Sequence, residues 1–308
     1  MGDKNMPQIT IFTPTYNRAY SLHKCYESMK RQKNKDFIWL IIDDGSTDNT
    51  ELLVKQWKQN DNGFEIKYIY KENGGMHTGY NTAYKHINTE LAMNVDSDDY
   101  LTDTAIDDIL DFWNKNKRSD VGGIYALDIF DNGEVIGEPF PDDLKEFKGW
   151  GYKYIYYNTN GKKKIHKNRG DKKFICVTDI IKQYPDIPAF EGEKYYSLYY
   201  KQHRIEADYS ILIYNKPVCV VEYMEDGSSN NMFSQYVKNP KGFCDERKFV
   251  IDNSPSLYLC LNSSIHYVAE SKIANNKNYL SEVKRKLPVI LSIPAGKLLY
   301  WYIRKKVK

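Results

Sequence analysis

The sequence predicts an α/β protein built on a mostly parallel, doubly wound sheet. Three observations carry this expectation. Short β-rich runs alternate with helical patterns through the first 130 residues. Phe37-Ile38-Trp39-Leu40-Ile41-Ile42 is apolar without a break, as a strand covered on both faces must be. Two runs end in acid clusters, Asp43-Asp44 and Asp96-Ser97-Asp98-Asp99, where an open α/β sheet binds ligands at its carboxyl edge.

The elements follow in order. Ile9–Tyr16 reads as a strand ended by Pro14, and Asn17-Arg18 begin a turn. Ser21–Lys30 places Leu22, Cys25 and Met29 on one helical face. Thr50–Gln59 reads as helix, Glu65–Tyr70 as an alternating strand, and Gly79–Ile87 as helix after the Asn73-Gly74-Gly75 turn. Glu90–Val95 is the strand that delivers the second acid cluster. Val121–Phe130 is a strand before an Asp131–Glu134 hairpin turn. Residues 139–172 lose periodicity and are expected to form an irregular loop, either a cover for a ligand or a surface insertion. Ile205–Ile213 and Pro217–Tyr223 are β-rich, whereas Ser256–Lys272 and Tyr279–Lys286 read as helices.

Three carboxylates within four positions repel one another and desolvate poorly. A divalent cation relieves both problems, because hard cations take carboxylate oxygens. Asp96 and Asp98 are two apart, so an extended chain points both the same way. The alternative is a helix cap, with Asp98 or Asp99 capping a helix that starts near Thr102. The two acid clusters at two strand ends favour a site.

Composition bounds the rest. The 308 residues are 41% hydrophobic and 28% charged, ordinary for a globular chain of one large or two small domains. The 27 Tyr fit a sugar or nucleotide groove, and fit a compositional bias equally well. Five dispersed Cys without a CxxC read as reduced thiols, and Met1–Asn5 lacks an apolar leader, so a cytoplasmic location is expected. From Asn278 onward eight Lys/Arg face one acid, Glu282, which makes that tail +7 and the preceding residues −4. Such a tail seeks an anionic partner.

Four stretches occur in a telling order: Thr13-Pro14-Thr15-Tyr16-Asn17-Arg18, Ile42-Asp43-Asp44-Gly45-Ser46-Thr47-Asp48, Asn73-Gly74-Gly75 through Asn81, and Val95-Asp96-Ser97-Asp98-Asp99. Together they resemble a family 2 glycosyltransferase of the GT-A fold, a Rossmann-like sheet flanked by helices, of the bacterial cell-surface polysaccharide type. The resemblance covers the first third of the chain. It implies transfer, with inversion, from a nucleotide-diphosphate sugar, UDP-linked by preference, to a glycan or lipid-linked acceptor. It assigns the nucleotide to Pro14, Thr15, Tyr16, Arg18, Asp43, Asp44, Gly75, His77, Asn81, Asp96 and Ser97. It assigns Mn²⁺ or Mg²⁺ on the diphosphate to Asp98, with Asp96 beside it. Many relatives carry Ala-Arg-Asn where this chain has Gly79-Tyr80-Asn81, and His77 is the expected substitute for the missing basic group.

The resemblance further implies a catalytic base in Phe190-Glu191-Gly192-Glu193-Lys194, with Glu193 first and Glu191 in reserve, at the start of a helix facing the acceptor. Asp226 is a candidate for acceptor hydroxyls, or a turn residue. The expected organisation is a catalytic domain over 1–225 and a helical C-terminal region over 226–308. The apolar, aromatic and basic stretch 287–306 is too interrupted to span a bilayer; it fits a peripheral helix on the inner face of the cell membrane, or a helix packed on the domain. Nucleic acid is not expected, since no motif accompanies the charge. A dinucleotide oxidoreductase lacks its Gly-rich turn after the first strand. A GT-A-like module that binds nucleotide sugar or glycan without turnover is the competing reading.

Overall fold

A computed structural model describes residues 6–151, 154–222 and 232–307. The chain divides into two compact units, Met1–Asp186 with Lys201–Tyr223, and Ile187–Tyr200 with Met224–Lys308. The second unit thus takes residues 187–200 as well as the C-terminal region, so Glu191 and Glu193 belong to it.

The first unit runs β1 (Ile9–Thr15), α1 (Ala19–Arg31), β2 (Phe37–Asp43), α2 (Thr50–Lys58), β3 (Glu65–Tyr70), α3 (Met76–His86), β4 (Leu91–Asn94), β5 (Tyr100–Leu101), α4 (Ala105–Asn116) and β6 (Val121–Ile129). It continues with β7 (Glu146–Phe147), β8 (Tyr154–Thr159), β9 (Lys162–Lys167), β10 (Lys172–Val177), α5 (Thr178–Ile181), α6 (Tyr199–Asp208, in this unit from Lys201) and β11 (Ser210–Val220). The sheet order is β3-β2-β1-β4-β10-β6-β11-β5, with β7 also on β11. The half from β3 to β4 is parallel, as is β6 with β11. The antiparallel β10, between β4 and β6, breaks the expected parallel order. Every residue of β1 and β2 is buried, which accounts for the unbroken apolar run of β2; β1 continues through Pro14, which pairs with Ile42, instead of ending there. Behind them Tyr26 stacks on Trp57 at 4.3 Å, and Trp39 Nε1 donates to Thr13 Oγ1 at 3.0 Å.

Three further expectations about local structure are corrected. Within the stretch 139–172, expected to be irregular, β8 and β9 form a hairpin closed by Asn160 and Gly161, both at positive φ. That is the turn chemistry a two-residue hairpin needs. Ile205–Asp208 is helix rather than strand, because Gln202, Ile205 and Glu206 are buried at helical spacing in α6. Tyr279–Arg285 is turn and coil, and the helix begins at Lys286.

The second unit holds α7 (Met232–Lys238), α8 (Pro240–Asn253), α9 (Leu257–Ile273) and α10 (Lys286–Lys306). Its core gathers Ile251, Cys260, Tyr267, Val268 and Val289. Ser256 Oγ caps α9 by accepting from Leu259 N at 3.4 Å. None of the described helices is long and apolar enough to cross a membrane.

Candidate active site

The carboxyl ends of β2, β1 and β4 lie side by side. Thr15 pairs with Asp43, and Phe12 pairs with Asn94, so the acids after β2 and after β4 share one edge of the sheet. Strands sit roughly 4.8 Å apart, which puts the two loops about 10 Å from each other across β1.

The first two loops are laced together. Asn17, in the left-handed region at φ 52°, donates its N–H to Ser46 Oγ at 2.8 Å, and its Oδ1 accepts from Thr47 N at 2.8 Å. Asp43 is buried and accepts from Ser46 N at 2.7 Å and from the Tyr68 hydroxyl at 2.6 Å. Asp44 does more: it accepts from Lys71 Nζ, Asn73 Nδ2 (3.2 Å), Gly74 N (3.0 Å) and Gly75 N (2.7 Å). Asp44 therefore holds the 73–75 loop in place. Gly45 must be glycine here, since its φ is +89° and a Cβ would sit 2.8 Å from Asn73 N. Pro14 lies under α3, where a Cβ at Gly79 would touch it at 3.4 Å. Thr15 Oγ1 is buried without a hydrogen-bond partner among the described residues, Tyr16 is exposed, and Arg18 donates to the Tyr20 hydroxyl.

His77 and Asn81 lie on α3, which starts after Gly75 at φ +94°. Burial holds His77 below the ordinary histidine value, with Asp44 opposing the shift and Lys71 adding to it. A buried neutral imidazole does not supply the positive charge expected of it. Lys71 is the basic group on this loop: its Nζ reaches Asp44, the Glu72 carbonyl (2.6 Å) and Thr78 Oγ1 (2.8 Å). The sequence reading missed it, because a Lys just past a strand looks like solvated surface.

The loop after β4 is a turn rather than an extended end, with Asp99 N donating to the Asp96 carbonyl at 3.0 Å. Asp96 and Asp98 are half-exposed, while Ser97 and Asp99 are buried. Asp96 Oδ1 accepts from Asn94 Nδ2 at 3.1 Å. The capping alternative is overturned: α4 starts at Ala105 behind Thr104, with β5 between it and the acids. Asp99 instead faces Lys173 Nζ at 3.8 Å, and Asp128 faces the same ammonium at 3.7 Å. Burial pushes Asp99 up to about 8 against the pull of Lys173, with Asp96 and Asp98 adding to the rise. Burial likewise lifts Asp128 to about 6.

Among the described residues no group of three or more His, Cys, Asp or Glu side chains is arranged to hold a metal. The turn presents two half-exposed carboxylates and keeps the third inward. Two hard oxygen donors suit Mg²⁺ or Mn²⁺ shared with a diphosphate and water better than a cage made by protein alone.

In the second unit, Glu193 does not begin a helix. It follows Gly192 (φ +80°) in an irregular stretch and accepts from Lys241 N and Gly242 N, each at 2.9 Å. Those are the first free donors of α8, so Glu193 caps a helix distant in sequence. Glu191 is exposed, and Asp226 lies outside the described residues.

The family model of "Glycosyl transferase family 2" matches residues 10–178, more than half of the chain. The chain belongs to this family. Staphylococcus aureus TarP, a poly(ribitol-phosphate) beta-N-acetylglucosaminyltransferase, is 29% identical over 143 residues, 42% of this chain and 43% of TarP. Escherichia coli chondroitin synthase is 31% identical over 113 residues, 37% of this chain and 16% of the synthase. These matches span less than half the length of either relative. Among solved structures, residues 1–349 of S. aureus TarS with UDP-GlcNAc superpose with a TM-score of 0.53 at 15% identity, covering 97% of this chain and 92% of that one. The Pyrobaculum calidifontis mannosyltransferase PcManGT, solved with GDP-Man and Mn²⁺, gives 0.54 at 15% identity, covering 98% and 83%. At that identity the likeness establishes the fold, which is the GT-A fold expected from the sequence.

Proposed function

We propose that this family 2 member is a metal-dependent glycosyltransferase. It moves a sugar from a nucleotide-diphosphate donor, UDP-linked by preference, to a hydroxyl of a glycan or lipid-linked acceptor in surface polysaccharide synthesis. The observation that carries this reading is the turn at Asp96–Asp98, with two half-exposed carboxylates on the sheet edge that also bears Thr15 and the Asp43 loop. The ligands named for TarS and PcManGT support the choice of donor class and of cation.

In this reading the loops after β1, β2 and β3 hold the nucleotide. Pro14, Thr15, Tyr16 and Arg18 line the first, Asp43 and Asp44 brace the second, and Gly75, His77 and Asn81 lie along the third. Thr15 Oγ1, buried and unsatisfied among the described residues, is a ready polar partner. Asp96 and Ser97 approach the ribose, and Asp96 and Asp98 would hold Mn²⁺ or Mg²⁺. When bound, the cation neutralises charge on the departing diphosphate. Glu193 takes the acceptor proton in a single displacement with inversion; its two backbone bonds leave lone pairs for that proton. The protein works on the cytoplasmic side, at the inner face of the cell membrane.

The test is UDP-sugar turnover together with calorimetry of UDP in the presence and absence of Mn²⁺. Asp98→Ala is expected to abolish transfer and the Mn²⁺-dependent part of UDP binding. Wild-type transfer by Asp98→Ala overturns the mechanism. Mn²⁺-dependent UDP binding by the parent without any turnover supports the binding-module reading instead.

A further inference from the structure

The helix α10 has two apolar faces, and among the described residues only one of them is packed. At 3.6 residues per turn, Val289, Ser292, Gly296 and Ile303 fall on one side and are buried. Gly296 lets α9 approach closely, since a Cβ there would lie 2.5 Å from Val268 Cβ. The opposite side carries Leu287, Ile290, Leu291, Leu298 and Trp301, with Leu298 73% and Trp301 68% exposed. A soluble surface rarely leaves this much contiguous apolar side chain in water.

Charge decides what covers it. Lys286, Lys297 and Arg304 recur at positions that bring them within roughly 20° of one another around the helix axis, along one edge of the outward apolar face. Lys305 and Lys306 close its end, and α10 contains no Asp or Glu. A second copy of the same helix would set these cations against each other. α9 runs in the same direction as α10, with Val268 against Gly296 and Lys272 Nζ 5.5 Å over the Tyr300 ring. Its exposed first residues, Leu257 and Tyr258, therefore lie at the Lys286 end.

We infer that the outward face of α10 is a docking surface for an anionic lipid bilayer, with the helix lying in the interfacial plane. Leu and Trp enter the acyl boundary, and the Lys/Arg edge meets lipid phosphates. No described helix is long and apolar enough to cross, which agrees with a helix that lies on the bilayer. This inference rests on the proposed enzyme only for its purpose, and it is read by lipid binding rather than by transfer, so the two fail separately.

The experiment is co-sedimentation of the full chain with vesicles of phosphatidylcholine and phosphatidylglycerol in equal parts, and with phosphatidylcholine alone. Binding to the anionic vesicles is expected to be at least about tenfold stronger and to weaken as salt rises. The Leu298→Glu/Trp301→Ser double variant, changed at exposed positions, should melt like the parent and lose the vesicles. Lys297→Glu/Arg304→Glu should lose the anionic preference. Equal vesicle binding by parent and Leu298→Glu/Trp301→Ser overturns the inference. So does a concentration-dependent dimer that the same variant abolishes, in a parent that ignores vesicles. An unfolded double variant is replaced by Leu298→Gln alone, judged by the same binding criterion.

Discussion

Lys173 Nζ lies 3.8 Å from the Asp99 carboxylate, inside the sheet and directly behind the turn that presents Asp96 and Asp98. Asp128 closes the group from β6, 3.7 Å from the same ammonium. Asp128 and Asp99 keep Lys173 charged against the burial that opposes it. The turn is thereby split into an inner acid that is spent on the protein and two outer acids that are not buried. Lys173 is a positioning residue in this arrangement, since it acts through Asp99.

Replacing Lys173 with Met removes the cation from between two buried acids and leaves Asp128 as the uncompensated charge, beside an Asp99 that burial already pushes toward its neutral form. Breaking a buried pair from one side costs about 3–5 kcal/mol. Urea unfolding of Lys173→Met should show a loss of that order, and adding Asp128→Asn should recover part of it. A single variant within about 1 kcal/mol of the parent would show that the charges are screened as surface pairs are.

Much of this was legible beforehand. The first four strands, from Ile9 to Val95, lie where the sequence pattern puts them: β2, buried on both faces, leaves an unbroken apolar run, and the half-exposed β3 alternates. Lys173 was missed, although it shares strand parity with the buried Ile175. A Lys at a core position is a signal, but its partners Asp99 and Asp128 are far away in sequence. The hairpin over Tyr154–Lys167 carried its own sign in Asn160-Gly161, masked by polar strands such as Lys162-Lys163-Lys164. The cap made by Glu193 was not readable at all, since its donors lie about fifty residues further on.

Asp44 gathers four donors from Lys71, Asn73, Gly74 and Gly75. Asp44→Asn keeps the shape but removes the charge that those donors share. Hydrogen bonds to a charged group contribute about 1.5–3 kcal/mol. A stability loss in that range is expected from denaturant unfolding, and UDP should bind about tenfold more weakly as the 73–75 loop loosens. Unchanged UDP affinity in a destabilised variant would separate this loop from the nucleotide.

His77 gives a pH signature of known sign. Its folded value lies below the ordinary 6.5 because burial disfavours the imidazolium. Between 6.5 and that lower value the unfolded chain binds the proton and the folded chain does not. Stability is therefore full above pH 6.5 and falls as pH drops through this window, by up to about 1.4 kcal/mol per pH unit for one group. His166 is depressed in the same direction, also by burial, so the parent carries both contributions. Unfolding free energies measured from pH 7.5 downward should fall less steeply in His77→Gln than in the parent. Parallel curves would mean that His77 takes up its proton in the folded state as easily as in the unfolded one.

Glu193 carries two tasks that a pair of substitutions can pull apart. As a cap it satisfies Lys241 N and Gly242 N at the start of α8. Glu193→Gln retains one amide oxygen as acceptor and forfeits the other, a loss of about 1 kcal/mol. Glu193→Ala forfeits both bonds, and its cost should approach about 2 kcal/mol. A base that removes the acceptor proton contributes about 10²–10⁴-fold to the rate. Glu193→Gln should therefore fold nearly as well as the parent while its kcat falls by that factor, with UDP binding unaltered. Glu191→Gln, changed at an exposed position, should leave both stability and rate near those of the parent. If Glu193→Gln shows only the small stability loss and turns over at the normal rate, Glu193 is a helix cap alone, and the proton must leave through another group.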